Sequence, residues 1–286
     1  MENKGKIDSL NAIIEKRNTD VVIIDIKSGL SRKSLTSLKK LNILIVLIDD
    51  ASERRLEADL AFYPPVMQVN KLNWEHFHGQ KFVGPEYILL REEFKKKPSR
   101  SITIKKKDSI EKVLIAMGGS DTQNYTFSIL KELDKLQHKF AVQILLGAGY
   151  KSNQQLIQWG ENTEREFKIY RNVVSPKDVM QECDLGIVSF GVTAYEVIAL
   201  GNPIICGCLT QDHEDSAKYL VKKGVAISAG IFNGSTAGTI AAELIKLLEN
   251  RQSYVRMKDR ASTLIDGNGA VRVATTIHHE LGSLNK

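Results

Sequence analysis

Apolar residues in this chain fall into short continuous runs, each followed by a turn and then by apolar positions at helical spacing. DVVIIDI, residues 20–26, is the first such run, and near-continuous β-branched runs suit a parallel strand buried on both faces. Residues 31–41 follow as a predicted helix with Leu30, Leu35 and Leu38 on one side. NILIVLIDD, residues 42–50, is a second buried strand that ends in Asp49 and Asp50, and EADLAF, residues 57–62, leads into a third extended piece. The pattern restarts further on. Strand-like runs lie in KVLIAMGGSD (112–121), FAVQILLGAG (140–149), EFKIYRNV (166–173), 184–189, NPIICGC (202–208) and VAISAG (225–230). Helical periods fill 123–137, 151–160, 176–182, 215–223, 235–249 and 252–265, a further helix follows the 189–193 turn, and much of the tail is helical.

Strands alternating with helices at this density predict an α/β fold with parallel sheets and right-handed crossovers. The pause near residues 95–107 divides it. The expected organisation is two doubly wound parallel-sheet domains. A partial N-terminal domain covers 1–94 and a basic linker 95–109. A more complete second domain covers 110–265, and a helical tail 266–286. Ligands of such sheets bind beyond the carboxyl ends of the strands, so the informative residues are in the turns that follow them.

Composition narrows the class. The chain has 286 residues with 42% hydrophobic and 26% charged residues, enough for a substantial core in an ordinary globular protein. The opening MENKGKIDSL holds no apolar signal region, and the longest apolar runs are far too short to span a bilayer. A cytoplasmic location is the default expectation. Net charge is +6, but residues 91–107 carry eight Lys or Arg and two Glu and account for all of it. That is the mark of a solvated linker rather than of a nucleic-acid face. Cys183, Cys206 and Cys208 form no disulfide framework and no metal-ligand spacing, so they are expected as buried strand residues, and neither a metal nor a cofactor is expected.

Three strand-end turns carry candidate chemistry. Gly118, Gly119, Ser120 and Asp121 close one strand and open a helix, where glycines let a backbone approach a diphosphate. No Lys follows, so this is not a P-loop, and the dinucleotide GxGxxG is absent. A tight turn with a Ser120/Gln123 capping box fits equally well. Gly191, Thr193 and Glu196 repeat the arrangement in SFGVTAYEVIALG. Glu196 either caps its own helix with Thr193 or accepts the hydroxyls of a ribose. Gln211, Asp212, His213 and Glu214 fill the next strand-end loop, a polar cluster able to read a sugar or base. No Ser-His-Asp order and no HExxH motif is found.

In order, GGSD, DLGIVSFGVTAYE, GNPII and Gln211 resemble the nucleotide-binding half of GT-B glycosyltransferases of the MurG type. VGPEYILLREEF (83–94), LIDGNGAVRV (264–273) and the first two strands look like the pseudaminic-acid-pathway UDP-sugar hydrolases and their spore-coat polysaccharide relatives. The resemblance covers nearly the whole chain. It implies a UDP-sugar ligand, with Gly118, Gly119 and Ser120 facing the diphosphate, Gly191 and Thr193 nearby, Glu196 on the ribose, and Gln211 near the sugar or phosphates. It further implies hydrolysis of the sugar–diphosphate bond by water in cell-surface polysaccharide or nonulosonic-acid biosynthesis. The family's N-terminal Gly-x-Gly-His-x-x-Arg turn, whose His is its expected general base, has no counterpart here, and neither does its Asp-x-Tyr, since the matching stretch reads Asp25-Ile26-Lys27-Ser28. The first strand–helix units are therefore expected to be missing, which predicts exposed apolar surface and association through the N-terminal domain. Asp49 or Asp50 is then the candidate base. Binding without turnover, and glycosyl transfer from the same site, are the alternatives.

Overall fold

The structure is a computed structural model that describes residues 12–14, 16–95, 108–151 and 154–284. The first eleven residues, and the expected linker from residue 96 to 107, lie outside the described residues. The chain divides into two compact units, Met1–Leu89 with Asn268–Lys286, and Leu90–Gly267.

The first unit is built on a four-stranded parallel sheet of β1 (Val21–Ile24), β2 (Leu44–Ile48), β3 (Leu60–Tyr63) and β4 (Gln80–Val83), in that spatial order. Strand residues alternate between its two faces, so continuous apolar runs require two covers. Ile45 and Leu47 of β2 and Ala61 and Tyr63 of β3 face helix α1 (Arg32–Lys39), packing with its Leu35 and Leu38. Ser31 caps α1 through a reciprocal pair with Ser34. The alternate residues Leu44, Val46, Leu60 and Phe62 pack against Val273 and Ile277. Those two belong to the last helix of the chain, which begins at Gly269. The segment expected as a separate tail over 266–286 is thus, from Asn268 on, the second cover of the first sheet. Strand β4 escapes sequence reading because its Gln80 and Lys81 are exposed and break the apolar run.

The second unit holds a six-stranded parallel sheet of β5 (Lys112–Ala116), β6 (Ala141–Leu146), β7 (Phe167–Arg171), β8 (Leu185–Ser189), β9 (Ile204–Cys208) and β10 (Ala226–Ile231). Its spatial order is β10-β9-β8-β5-β6-β7. The chain begins in the middle, builds outward to β7, then returns to the other side of β5. Strands β8 and β9 are buried throughout. Between them run α2 (Tyr125–Asp134), α3 (Gln154–Asn162), α4 (Pro176–Met180), α5 (Val192–Ala199) and α6 (Gln211–Lys222), with α7 (Thr236–Glu249) and α8 (Arg251–Leu264) after the sheet and α9 (Gly269–Leu284) in the first unit. One core joins Val113 and Ile115 of β5, Ile144 of β6, Leu130 of α2 and Leu244 of α7. Cys183, Cys206 and Cys208 are free and buried.

Candidate functional site

The reversal of strand order between β5 and β8 creates the crevice in which open α/β sheets bind ligands. Both Gly-rich turns singled out in the sequence flank it. Val113–Ala116 of β5 pairs in parallel with Leu185–Val188 of β8, which brings the two turns side by side. They are close enough that a Cβ on Gly118 would lie 3.3 Å from the Ser189 hydroxyl oxygen. Gly118 sits at φ +82°, in the left-handed region that a side chain disfavours. The turn after β6 packs on the same feature. Gly149 N–H donates to the Gly119 carbonyl at 2.9 Å, and a Cβ on Gly147 would lie 2.4 Å from that carbonyl oxygen. Gly119 and Gly191 have open space where a Cβ would be, so backbone is presented directly at this edge.

The helices that leave these turns begin differently from expectation. Helix α2 starts at Tyr125, later than residue 123, and Ser120 and Gln123 form no capping box. Its first amides are satisfied by Asp121, whose carboxylate accepts from Tyr125 N–H at 2.8 Å and Thr126 N–H at 2.9 Å. Asp121 thereby holds the helix to the Gly-rich turn with both oxygens. Helix α6 begins at Gln211, four residues earlier than its apolar period shows, because Thr210 caps it by accepting from His213 N–H. The polar cluster Gln211–Glu214 is therefore the first helical turn and not a loop. Gln211 is exposed and its amide reaches Asp215 at 3.4 Å.

Helix α5 removes the capping reading of Glu196. Gly191 is the N-cap and makes no side-chain capping bond, and Thr193 is already inside the helix. Glu196 is 4% exposed and does not fold back on its own amides. Its Oε1 instead accepts two hydrogen bonds from Arg91, from Nη2 at 2.8 Å and from Nε at 3.2 Å. Arg91 stands at the start of the second unit, and its partner is 105 residues away in sequence. Arg91 Nη1 lies 3.5 Å from Glu93 Oε1, and the other Glu93 oxygen accepts from the Ser175 hydroxyl. Arg91 and Glu93 lie in the VGPEYILLREEF stretch that carried the resemblance, but neither they nor Ser175 had been assigned a site role.

In the first unit, Asp49 and Asp50 end β2, and their environments differ sharply. Asp50 is 6% exposed, and its Oδ2 lies 2.7 Å from Arg54 Nε. Its Oδ1 accepts from Ser52 N–H, its carbonyl from the Tyr63 hydroxyl, and Arg54 donates onward to the carbonyls of Ile26 and Leu30. Burial, with the nearby Asp50 charge, pushes the Tyr63 phenol well above its ordinary range. Asp50 is committed to this network. Asp49, at φ +49°, has its side chain 46% exposed and Lys27 at 3.7 Å. Among the described residues no group of three or more His, Cys, Asp or Glu is placed to hold a metal ion, and no helix is long and apolar enough to cross a membrane.

No protein-family model matches the chain. Over 199 residues it is 29% identical to the uncharacterized protein MJ1062 of Methanocaldococcus jannaschii, a match covering 67% of this chain and 41% of that protein. The chain thus spans less than half of that relative. It is 21% identical over 267 residues to the spore coat polysaccharide biosynthesis protein SpsG of Bacillus subtilis, covering 92% of this chain and 78% of SpsG. Among solved structures it is similar to Acinetobacter baumannii MurG, with TM-score 0.68, 16% identity, and coverage of 96% and 77% of the two chains. It is similar also to S. aureus MnaA solved with UDP, with TM-score 0.64, 12% identity, and coverage of 99% and 82%. The rhamnosyltransferase SpnG gives TM-score 0.60, 14% identity, and coverage of 94% and 76%. At these identities the likeness establishes the fold, which is the GT-B type of glycosyltransferases and sugar-nucleotide epimerases.

Proposed function

We propose that this protein binds a UDP-sugar at the carboxyl edge of its second sheet and acts on it in the biosynthesis of a cell-surface polysaccharide or nonulosonic acid. The observation that carries the reading is the convergence of the two Gly-rich turns at the β5/β8 reversal, with Gly118 against Ser189. Backbone amides at that edge suit a diphosphate, and Glu196, released from any capping role, suits the ribose hydroxyls. Gly118, Gly119, Ser120, Gly191 and Thr193 are the proposed diphosphate contacts, with Gln211 near the sugar or phosphates, and Asp121 holding the turn that presents them. SpsG supports the polysaccharide context, and MnaA with UDP and SpnG with thymidine diphosphate support a nucleoside diphosphate as the ligand class.

The reaction we assign is hydrolysis of the bond between sugar and diphosphate. Water adds to the anomeric carbon, UDP leaves, and the free diacetamido-trideoxy sugar is released. Of the two candidate bases we assign the role to Asp49, which solvent reaches, whereas Asp50 is held against Arg54. That commitment of Asp50 favours a second reading, binding of the nucleotide sugar without turnover. Calorimetry with UDP, and UDP release from UDP-N-acetylated sugars, separate the two. Binding and release, both lost in Glu196→Ala and release alone lost in Asp49→Asn, support the hydrolase. Binding with no release supports the second reading, and absence of UDP binding discards both.

A further inference from the structure

We propose that Arg91 is a positioning residue for nucleotide recognition, holding the Glu196 carboxylate in the orientation that selects a ribose. This inference rests on the reading of Glu196 as the ribose acceptor. Glu196 lies in the second turn of α5, a helix otherwise buried and apolar around it, with Tyr195, Val197, Ile198 and Ala199 all buried. A carboxylate in such surroundings needs a partner. Nothing on its own helix provides one.

The partner's geometry is specific. Both donated N–H groups of Arg91 fall on Oε1, and among the described residues no hydrogen bond falls on Oε2. One oxygen is thus fixed and the other is left to accept. Two bonds from a planar guanidinium set the rotation of the carboxylate as well as its position, which a single ammonium does not. Arg91 is itself braced. Glu93 Oε1, buried and without a hydrogen bond of its own, stands 3.5 Å from Arg91 Nη1, and Ser175 holds the other Glu93 oxygen. The guanidinium also lies over the Phe94 ring at 5.5 Å, and Phe94 is 1% exposed. Ser175 stands at the start of α4, just after β7, so the chain Ser175–Glu93–Arg91–Glu196 ties that loop to α5. The side chain of Arg91 keeps half of its surface in solvent.

The test compares UDP with 2′-deoxy-UDP by calorimetry on the full chain. Wild-type protein is expected to prefer UDP by about tenfold, the contribution of a hydrogen bond to a charged acceptor. In Arg91→Ala, UDP affinity falls about tenfold or more and the ratio between the two ligands approaches one. Arg91→Lys restores affinity in part, with an intermediate ratio, and serves as the folded control if the alanine variant is unstable. In a Glu196→Ala background, Arg91→Ala adds no further loss. An equal loss for both ligands, an unchanged ratio in Arg91→Lys and Arg91→Ala, or tighter UDP binding without Arg91 overturns the inference while leaving the nucleotide site intact. If wild-type protein binds UDP with no ribose preference, Glu196 is not the ribose acceptor and the inference falls with that assignment. If it binds no UDP, the functional reading itself fails.

Discussion

The first sheet runs β1-β2-β3-β4 in chain order, while the second starts at β5, builds to β7 and then returns to place β8 on the other side of β5. Both are parallel and both have apolar cover on two faces, yet they solve different problems. Right-handed crossovers in a sheet that never reverses put every connection on one face. The first sheet accordingly has α1 on one side and must borrow α9 from the far end of the chain for the other. The second sheet reverses, so its own crossovers cover both faces and leave a crevice at the point of reversal. The sheet that covers itself is also the one to which we assign the ligand.

Four experiments probe this contrast. The largest effect is expected from Ile277→Ala. Ile277 is 7% exposed among Leu44, Val46, Leu60 and Phe62, and its truncation should destabilise the first unit by ~2–5 kcal/mol. Denaturant unfolding should show that loss with UDP affinity unchanged, and a matching loss of affinity would show that the sheets are not separately supported. Gly147→Ala attacks the second sheet, because its Cβ would fall 2.4 Å from the Gly119 carbonyl oxygen. A loss of roughly 1–3 kcal/mol is expected, with UDP affinity down about tenfold. Unaltered affinity would remove the Gly118–Gly119 turn from the binding edge.

Asp121→Ala separates support from contact. Its two amide bonds to α2 make it a cap, so a loss of ~1 kcal/mol in stability is expected with UDP affinity within about twofold of wild type. A much larger drop in affinity would make Asp121 a ligand contact. The smallest effect near neutral pH concerns Cys183. Burial, then the Asp184 charge, pushes its thiol up from 9.0 to about 12. The unfolded chain releases this proton first, so the associated stability is present below about pH 9 and lost as pH rises toward 12. Cys183→Ala should flatten part of that decline in denaturant titrations, and an identical slope would assign it to other groups.

Most elements of the second sheet were legible because their strands are buried on both faces and read as unbroken apolar runs, as in Leu185–Ser189. Elements were missed where a polar stretch carried them. Strand β4 has an exposed start, and the first turn of α6 is Gln211–Glu214, announced only by its cap Thr210. The turns of the candidate site were visible, since glycine ahead of a helix has a local reason. Their wiring was not. Ser120 reads as the cap until the start of α2 shows Asp121 on its first amides, and Glu196 meets Arg91 only through folding that joins residues 105 apart. The role of the last helix was equally hidden, because an amphipathic period shows that a helix needs a surface but not which one.

That last helix also sets a timetable. During synthesis the strands of the first sheet leave the ribosome early, but the helix that covers Leu44, Val46, Leu60 and Phe62 begins at Gly269, after the entire second unit. At about 5–20 residues per second the uncovered face persists for roughly ten to forty seconds. The nascent chain therefore carries an unfinished N-terminal half alongside a second unit already able to fold. Its need for a chaperone should be concentrated in that interval and end once helix Gly269–Leu284 has emerged.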